Sequence, residues 1–391
     1  MSEFDTIFYR DAYCREFDSV VKTCTPFKKK YAVELEDTAF YPEGGGQPGD
    51  TGTLNDQKVE DTRKSDGRII HIVSDPITEG TPVHGVIDWE RRFDHMVMHT
   101  GEHMVSGLIH QTFGYDNVGF HMGEDAVTID FNGSMDWDAC MRVEAKANEL
   151  VRRNLPVSAG IPDEKELARM DYRSKKELHG EVRIVTVPEA DVCACCGTHL
   201  KSTGEIGYVK LISLANHRDG VRIEMLAGKR AEEFMRKVMD QNLRISHLLS
   251  ARVLETSDAV ERLLNGYQNA KRSLRIAAEE SMKEKIASLV PGERYYIAFA
   301  PNADHEMLRY FANAILQKTG AESAAAFSEE DGECRYVIVS ETVDLRKEIR
   351  GLNQELNGRG GGSPQLVQGV FRADSDTVYE TVNALFQDPG K

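Results

Sequence analysis

The chain has 391 residues, of which 40% are hydrophobic and 29% charged, a balance typical of a soluble globular protein with more than one domain. Its 48 Lys and Arg against 64 Asp and Glu give a net charge of -16, which excludes a surface that is basic all over but allows one local basic groove. No apolar run approaches the roughly 20 residues of a membrane span, and no signal-peptide pattern is present, so we expect a cytoplasmic protein without membrane contact. Seven cysteines in such a chain predict reduced thiols rather than a disulfide framework.

Short alternating strands dominate residues 1–88. Lys30-Tyr-Ala-Val-Glu-Leu and Arg68-Ile-Ile-His-Ile-Val show the period of two, and turns such as Pro48-Gly-Asp-Thr-Gly-Thr separate such stretches. This pattern predicts a small N-terminal β-barrel or sandwich.

Residues 89–230 mix helical and strand patterns. Apolar residues recur with the helical period up to Gly114, and a second helical pattern begins near Ser134 or Asp136. Strand patterns lie between these helices and again from Val182 to Leu226. This mixed order predicts an α+β domain.

The segment 231–290 contains no proline and a single glycine, Gly266. Its apolar spacing predicts two long helices joined near Thr256-Ser-Asp, with Ser257 or Asp258 as the cap of the second helix. Because the spacing drifts between three and four, an antiparallel helical hairpin is favoured over a long parallel coiled coil.

Residues 291–391 form the last predicted domain, of α/β character. Tyr295-Tyr-Ile-Ala-Phe-Ala and Tyr336-Val-Ile-Val-Ser are predicted strands on either side of a helix over Asp304–Lys318. Gly358-Arg-Gly-Gly-Gly-Ser-Pro is predicted to be a flexible loop.

Two pairs of residues carry the spacing of metal ligands. His99 and His103 are four residues apart on a predicted helix, so both imidazoles lie on one face. Cys195 and His199 repeat that spacing far downstream. One sulfur and three nitrogen donors form a set that suits Zn²⁺.

Two alternatives compete with this ligand set. Cys193 and Cys196 are rival thiol ligands, and a cysteine-rich set would indicate a closed structural site. The first pair also matches the inverted zincin motif H-x-x-E-H of some metallopeptidases, with Glu102 as general base. That class needs a distant carboxylate ligand, for which Glu177 or Glu181 is available.

With these residues in view, the chain resembles the free-standing alanyl-tRNA editing proteins in their long form, and the editing half of alanyl-tRNA synthetase. Phe40-Tyr-Pro-Glu-Gly-Gly-Gly-Gln-Pro-Gly-Asp-Thr-Gly52 is similar to the glycine motif of this family. The two ligand pairs stand where the family holds its zinc, and Gly220-Val-Arg-Ile-Glu224 is similar to the strand that follows. Gly358 to Gln368 resembles the glycine-rich segment of the DHH-associated C-terminal domain.

The resemblance implies a function and partners. Members of the family use a zinc site to hydrolyse the ester that joins serine, and in some members glycine, to tRNA(Ala). The chain has no room for the ligase half of the synthetase, so no aminoacylation is expected. A homodimer through the C-terminal domain or the hairpin remains an open alternative.

The resemblance also assigns roles to single residues. The substrate-binding candidates are Gly44, Gly45, Gly46, Gln47, Thr51, Thr100 and Arg222. The glycines allow close backbone approach to the aminoacyl group, and the threonines offer hydrogen bonds to a seryl hydroxyl. The alternative interpretations are a plain tight turn for the glycine segment, a purely structural role for the two threonines and a surface salt bridge for Arg222.

Two further sets complete the expected site residues. Glu102 departs from the family pattern, in which this position usually carries a small, apolar or hydroxyl residue, and it is a candidate catalytic group. Arg359, Gly360 and Gly361 are candidates for contact with tRNA, with a flexible linker as the alternative.

Overall fold

The computed structural model describes residues 3–174, 180–330 and 332–387. The chain divides into two compact units, Met1–Gln241 and Asn242–Lys391. The four-part division predicted from the sequence is finer than these two units and stays a prediction. Among the described residues, no helix is long and apolar enough to cross a membrane.

The first unit begins with one short helix and six strands: α1 (Ile7–Arg10), β1 (Glu16–Phe27), β2 (Lys30–Leu35), β3 (Gly52–Leu54), β4 (Gln57–Ser65), β5 (Arg68–Val73) and β6 (Pro82–Ile87). The strands close into a barrel in the order β1-β2-β5-β4-β3-β6 with antiparallel neighbours. Because side chains alternate along a strand, Val33, Leu54 and Val59 point inward and are fully buried. The predicted barrel is confirmed, and the glycine motif lies in the long connection between β2 and β3.

The rest of the first unit comprises α2 (Trp89–Phe113), β7 (Asn117–Met122), β8 (Val127–Phe131), α3 (Trp137–Arg153), β9 (Ser158–Gly160), α4 (Glu164–Leu167), β10 (Ile184–Val187), β11 (Asp191–Ala194), β12 (Val209–His217) and β13 (Gly220–Ala227). Helix α5 (Gly228–Leu249) begins in the first unit and continues past its last residue, Gln241. One antiparallel sheet has the order β12-β13-β8-β7, and a smaller one has the order β11-β10-β9. Helices α2 and α3 share one apolar core with the larger sheet. The predicted α+β character is confirmed.

Helix α2 is bounded by clear capping groups. The Asp88 side chain accepts a hydrogen bond from the Arg91 backbone N–H, and Gly114 ends the helix with a φ of 73°. Asp136 caps α3 in the same way, which decides between the two predicted starts of that helix. Most of α2 is buried, so its polar side chains require hydrogen-bond partners inside the protein.

The second unit contains α6 (Thr256–Ser288), β14 (Tyr295–Phe299), α7 (His305–Thr319), β15 (Ser323–Glu330), β16 (Glu333–Ser340), α8 (Leu345–Glu355), β17 (Arg359–Gly362), β18 (Leu366–Phe371) and α9 (Ser375–Gln387). Its sheet has the order β14-β15-β16-β18-β17. Only β14 and β15 are parallel, so the predicted α/β character holds for that pair alone. Strands β15 and β16 are antiparallel because the connection between them is too short for a crossover helix.

The predicted flexible loop at Gly358 is wrong, since this segment contains strand β17. Gly360 pairs with Gly369 of β18. A Cβ at Gly360 would lie 2.2 Å from the Tyr336 hydroxyl oxygen, so the glycines let the strand approach its neighbour closely.

The two predicted helices of segment 231–290 are present as α5 and α6, but the predicted cap is wrong. Helix α6 begins at Thr256, and neither Ser257 nor Asp258 caps it. The Thr256 hydroxyl instead donates to Asn242 Oδ1 at 2.8 Å. The antiparallel hairpin and the DHH-associated type of the C-terminal domain stay predictions.

Candidate metal centre

Four side chains from two distant segments converge at one point of the first unit. His99 and His103 lie on the buried part of α2, and Cys195 and His199 lie in the turn after β11. One donor atom of each residue lies within 4.8 Å of the donor atoms of the other three. The Cys195 sulfur is 3.5 Å from His99 Nε2 and 3.4 Å from His199 Nε2. We call these four residues the donor group.

The turn after β11 approaches α2 closely because Gly197 has no side chain. A Cβ at Gly197 would lie 2.1 Å from His99 Cε1. The Gly197 N–H donates to the Cys195 sulfur at 3.3 Å. The buried Arg183 guanidinium donates to the backbone oxygens of Cys195 at 2.8 Å and Gly197 at 3.0 Å, which holds the turn in place.

Each histidine of the donor group has its Nδ1 atom beside a different oxygen atom. The three pairs are His99 with Gln47 Oε1 at 2.9 Å, His103 with Asp191 Oδ2 at 2.8 Å, and His199 with Thr100 Oγ1 at 3.2 Å. Such partners fix the ring orientation and leave Nε2 for a metal ion. All three imidazoles are therefore oriented by groups outside the donor group.

The electrostatics of the group favour a bound cation. Burial raises the pKa of the Cys195 thiol, but the three nearby imidazoles lower it well below its ordinary value. Burial lowers the pKa of His199 to about 3, so this ring is neutral at neutral pH. Burial also lowers the pKa of His103, but the Cys195 thiolate and the Asp191 carboxylate together raise it well above its ordinary value. The Cys195 thiolate and the neutral His199 imidazole are in the forms that bind metal, whereas the His103 ring has to release a proton when a metal ion binds.

The donor group fits zinc in chemistry and in spacing. Tetrahedral zinc with a sulfur at about 2.3 Å and a nitrogen at about 2.0 Å places these two atoms about 3.5 Å apart. The two measured sulfur–nitrogen distances, 3.5 and 3.4 Å, agree with that value. One thiolate and three imidazoles are also a donor set that zinc accepts in proteins.

The glycine turn, Gly44–Gln47, lies beside the donor group. Its end residues exchange two backbone hydrogen bonds, at 3.1 and 3.0 Å. Gly45 and Gly46 have φ values of 59° and 86°, which favour glycine. A Cβ at Gly46 would lie 2.4 Å from Phe120 Cδ1, and the Phe120 ring stacks on His99 with centroids 5.2 Å apart.

Gln47 connects this turn to the donor group. The side chain is fully buried. Its Oε1 atom accepts hydrogen bonds from His99 Nδ1 at 2.9 Å and from the Thr198 backbone N–H at 3.2 Å. Its Nε2 atom donates to Thr198 Oγ1 at 2.8 Å. Gln47 therefore positions a histidine and the backbone of the Cys195 turn.

The other predicted substrate residues make contacts of their own. Thr51 donates to Asp88 Oδ2 at 3.2 Å, beside the start of α2. Arg222 on β13 forms a bidentate ion pair with Asp130 at 2.6 and 2.8 Å, as its alternative interpretation proposed. Thr100 lies at the donor group, where its oxygen also accepts from the Leu200 N–H. Substrate contact by these three residues stays a prediction.

Glu102 lies on α2 next to the donor group but is not one of its members. Its side chain is 1% exposed, and Oε1 accepts hydrogen bonds from Ser106 and Asn117. Of the carboxylates considered for an inverted zincin, Glu177 lies outside the described residues. Among the described side chains, the groups that could hold a metal do not include Glu181. A catalytic role for Glu102 stays a prediction.

The rival cysteines differ in their surroundings. Cys196 is exposed, whereas Cys193 is buried and forms a second candidate group with His103 and Asp191. Arg173 donates to both oxygens of Asp191, at 2.7 and 2.8 Å. Its positive charge opposes a metal ion there, so the group that contains Cys195 is favoured.

The tRNA-binding candidates belong to the second unit. Arg359, Gly360 and Gly361 lie on the edge strand β17, and the Arg359 side chain is exposed. Space is open around Gly361, where a Cβ would meet no atom within 4 Å. Contact with tRNA at this edge stays a prediction.

Comparison with known proteins finds two family models and several relatives that match this chain. Residues 182–224 match the model of the threonyl and alanyl tRNA synthetase second additional domain, and residues 14–91 match that of the class II (A) tRNA synthetases. The alanyl-tRNA editing protein AlaX-L of Pyrococcus horikoshii is 29% identical over 395 residues, which cover 96% of each chain. The chain is a relative of the alanyl-tRNA editing proteins.

This relationship to the alanyl-tRNA editing proteins confirms the resemblance inferred from the motifs. An alanine–tRNA ligase of Pyrobaculum calidifontis is 31% identical over 96% of this chain, but the match covers only 43% of the ligase. Among solved structures, the C-Ala domain of Aquifex aeolicus alanyl-tRNA synthetase matches 26% of this chain and 94% of its own, with 25% identity and a TM-score of 0.22.

No sequence pattern identifies several of the residues that surround the donor group. Asp191, Arg173 and Arg183 are common residue types at unremarkable spacings. The rule that a metal-bound histidine donates its other N–H to an oxygen predicts that partners exist. It does not say which of 64 acidic residues supplies one, because only the fold decides that.

Proposed function

We propose that this protein hydrolyses the ester bond of mischarged tRNA(Ala), releasing serine, with glycine as a second candidate. The observation that carries the proposal is the contact between Gln47 of the glycine turn and His99 of the donor group, 2.9 Å apart. This contact between the two motifs that define the resemblance supports their use as one site. The editing relatives support the same reaction through their names.

The donor group would hold one zinc ion through His99, His103, Cys195 and His199. Zinc supplies Lewis-acid polarisation of an ester carbonyl or a lowered pKa of water. The residues of the chain orient the site around it. Asp191 holds the His103 ring, Gln47 holds the His99 ring and Thr100 holds the His199 ring.

The glycine turn provides the surface that the aminoacyl group approaches. Without a Cβ at Gly45, backbone groups of the turn remain accessible to a small substrate. The Tyr41 hydroxyl donates to the Gly44 carbonyl oxygen at 3.1 Å and holds the turn from the other side. Burial raises the pKa of Tyr41 well above its ordinary value, so this hydroxyl stays a donor.

A separate hydrolytic site has a physical reason. A synthetase pocket for alanine cannot strongly reject serine, an analogue that adds only a hydroxyl group. We expect no aminoacylation by this chain, which matches 43% of the length of the Pyrobaculum ligase.

The decisive experiment compares the loss of label from seryl-tRNA(Ala) and alanyl-tRNA(Ala) in the presence of the zinc-loaded protein. We expect serine to be released faster than alanine. Cys195→Ala should abolish this release and reduce bound zinc, whereas Cys24→Ala in the barrel should do neither. Equal release of both amino acids would contradict the proposal. If the wild type released no serine but cleaved peptides, and Cys195→Ala kept both its zinc and this peptidase activity, the inverted zincin, which does not use Cys195, would be favoured instead.

A second candidate is a tRNA-binding protein in which zinc only stabilises the fold. The four protein donors favour it, because structural zinc sites are closed by four protein ligands. It predicts that tRNA(Ala) binds with the same affinity before and after zinc loading of the folded protein, while serine release is absent. Serine release that depends on zinc would exclude it.

A further inference from the structure

Strand β7 lies on the glycine turn and brings an aromatic ring to the donor group. The Met122 N–H donates to the Gly46 carbonyl oxygen at 3.2 Å. The Phe120 ring is stacked on the His99 imidazole, with an angle of 23° between the planes and 5.2 Å between the centroids. A Cβ at Gly46 would lie 2.4 and 2.8 Å from two carbons of the same ring. The ring therefore fills the space between the turn and the donor group, and none of the roles assigned above uses it.

A β-bulge at the start of β7 sets the direction of this ring. The pairing of β7 with β8 changes register between Asn117 and Gly119, so Val118 is an additional residue in β7. The Asn117 Oδ1 atom accepts a hydrogen bond from the Gly119 N–H at 3.1 Å, across the bulge. Because a bulge redirects the side chains that follow it, the position of Asn117 determines where Phe120 points.

Asn117 is itself held by helix α2. Its Nδ2 atom donates to Glu102 Oε1 at 2.5 Å and to Ser106 Oγ at 3.0 Å. The Ser106 hydroxyl donates to the same Glu102 oxygen at 2.6 Å. All three side chains are buried, and a buried network whose hydrogen bonds are made fixes one arrangement of its members. Glu102 is thus connected to Phe120 through Asn117 and the bulge.

The same contacts define which group the network needs at position 102. The Glu102 Oε1 atom accepts two hydrogen bonds, so the network needs an acceptor there rather than a group that gains and loses protons. A glutamine also offers an oxygen acceptor, whereas an alanine offers none. A general base would instead have to reach the reacting proton and accept it. The two roles therefore predict opposite results for a glutamine substitution.

We propose that Phe120 limits the size of the amino acid that the site accepts, and that Glu102 is a positioning residue that holds this ring in place through Asn117. An aminoacyl group between the glycine turn and the donor group meets the ring, so a side chain larger than that of serine lacks space. One additional methyl group changes the selection between two substrates by about 10- to 200-fold. This inference rests on the proposed function, because it names the class of amino acid, small ones, that the same site releases.

The test compares kcat/KM for seryl-tRNA(Ala) and threonyl-tRNA(Ala) with the zinc-loaded full chain. Threonine adds one methyl group to serine, so we expect the wild type to prefer serine by about tenfold or more. Phe120→Ala should reduce this preference by about tenfold, because the ring no longer occupies the space that the methyl group needs. Val118→Ala, on the same strand at a residue that is 61% exposed, is the matched control and should keep the preference of the wild type. Since a ratio does not depend on the folded fraction of a variant, an unchanged ratio in Phe120→Ala would overturn the size limit.

The role of Glu102 is tested in the same assay. Glu102→Ala and Asn117→Ala should each reduce the serine preference, and the double variant should reduce it no further, because both residues act through one ring. Glu102→Gln keeps the oxygen acceptor and should keep the preference. A Glu102→Gln variant whose kcat falls by about 100-fold or more at an unchanged serine preference would identify a general base and overturn the positioning role.

A measurement without turnover separates this inference from the proposed function. In the zinc-loaded protein labelled at histidine, the stacked Phe120 ring shifts the NMR signals of the His99 ring protons. Phe120→Ala and Glu102→Ala should move the His99 signals in the same direction, and Glu102→Gln should leave them in place. If these shifts are seen but the wild type releases no serine, the proposed function and the size limit fail, while the positioning of the ring stands. His99 signals that Glu102→Ala leaves unchanged would overturn the positioning role.

Discussion

Gln47 illustrates how one side chain can join two motifs. Its amide oxygen accepts from His99 Nδ1 and from the Thr198 N–H, at 2.9 and 3.2 Å. A buried imidazole whose N–H lost this acceptor would be free to rotate, and its Nε2 would lose its fixed direction. The glutamine of the glycine motif therefore orients a residue of the donor group as well as the turn.

Replacing Gln47 should weaken metal binding. We expect Gln47→Ala to lower zinc affinity by about 10- to 100-fold, the usual effect of removing a partner of a metal-bound histidine. Gln47→Glu retains an oxygen acceptor and should lose much less. Competition with a chromophoric chelator measures both affinities. Gln268→Ala, on the exposed side of α6, is the control, and equal losses in the Ala and Glu variants would contradict this role.

The two central glycines of the turn should respond differently to alanine. Gly45 and Gly46 both have positive φ, so either substitution costs roughly 1 kcal/mol of backbone strain. Only at Gly46 does the added Cβ meet another group, 2.4 Å from Phe120 Cδ1. Gly46→Ala should therefore also displace the Phe120 ring from His99 and reduce zinc content and serine release. Equal zinc content in the two variants, measured by mass spectrometry, would contradict this difference.

His71 in the barrel should make the stability depend on pH. It is fully buried, with Nδ1 2.9 Å from the Val33 carbonyl oxygen and Nε2 2.9 Å from Thr38 Oγ1. Burial lowers its pKa from 6.5 to about 4. The folded state therefore binds this proton less readily than the unfolded state. The contribution of His71 to the free energy of unfolding is fully present above pH 6.5. About 3 kcal/mol of stability is lost as the pH falls toward 4.

Urea unfolding between pH 7 and pH 4.5 tests this effect. His71→Gln should be less stable than the wild type at pH 7 and should lose less stability on acidification. The exposed His84 is a control of opposite sign, because its hydrogen bond to Asp18 raises its pKa. Its contribution is present at low pH and is lost as the pH rises, so His84→Gln should slightly steepen the acid loss. A His71→Gln variant with the same pH slope as the wild type would contradict the assignment.

At the level of elements, α2 is tied to the barrel by a buried ion pair. Arg92, seven residues before His99 on the same helix, is fully buried and donates through Nε to both oxygens of Asp50 at 3.0 and 2.8 Å. Asp50 lies in the glycine motif and also accepts from the Tyr41 N–H at 2.6 Å. The pair fixes the start of helix α2 against the segment that carries Gln47.

Breaking this pair should destabilise the first unit strongly. Arg92→Met leaves the Asp50 carboxylate buried without its counter-charge, which should lower the free energy of unfolding by about 4 kcal/mol. Adding Asp50→Asn removes that charge and should restore part of the loss. Arg91→Met, at the exposed neighbour, is the control in the same urea titrations. Equal stability of the two methionine variants would contradict the argument.

Elements with a strong local pattern were predictable from the sequence. The barrel strands show the period of two, and Asp88 and Gly114 mark the ends of α2. Strand β17 was not predictable, because Gly358 and its neighbours have the composition of a flexible linker. The strand exists because β18 pairs with it and Tyr336 leaves space only for a glycine, and both facts belong to the tertiary structure.

The convergence of the four candidate ligands was predictable from the sequence, but the residues that hold them in place were not. The spacing of four predicted the donor group, since it follows from helix geometry for one pair and repeats in the other. The oxygen partners of the three histidines are 52, 88 and 99 residues away from them. Contacts over such separations have no local period, so residues such as Asp191 become recognisable only in the folded chain.

At the level of the whole molecule, the donor group lies in one of two units with separate cores. The cores around α2 and inside the barrel lie in Met1–Gln241, and those of the second sheet lie in Asn242–Lys391. Both tryptophans of the chain, Trp89 and Trp137, lie in the first unit. Tryptophan fluorescence therefore reports on the unit that holds the donor group, while far-UV circular dichroism reports on both.

Removal of the metal should destabilise the first unit selectively. Because a ligand that binds only the folded state stabilises it, zinc at a thousandfold excess over its Kd contributes about 4 kcal/mol, and chelation removes this contribution. We expect the urea midpoint followed by tryptophan fluorescence to fall after chelation, while the part of the dichroism signal that belongs to the second unit keeps its midpoint. Cys195→Ala should show the low fluorescence midpoint with or without chelator. If both signals shifted together by the same amount, the two units would unfold as one, and if neither shifted, the donor group would hold no structural metal.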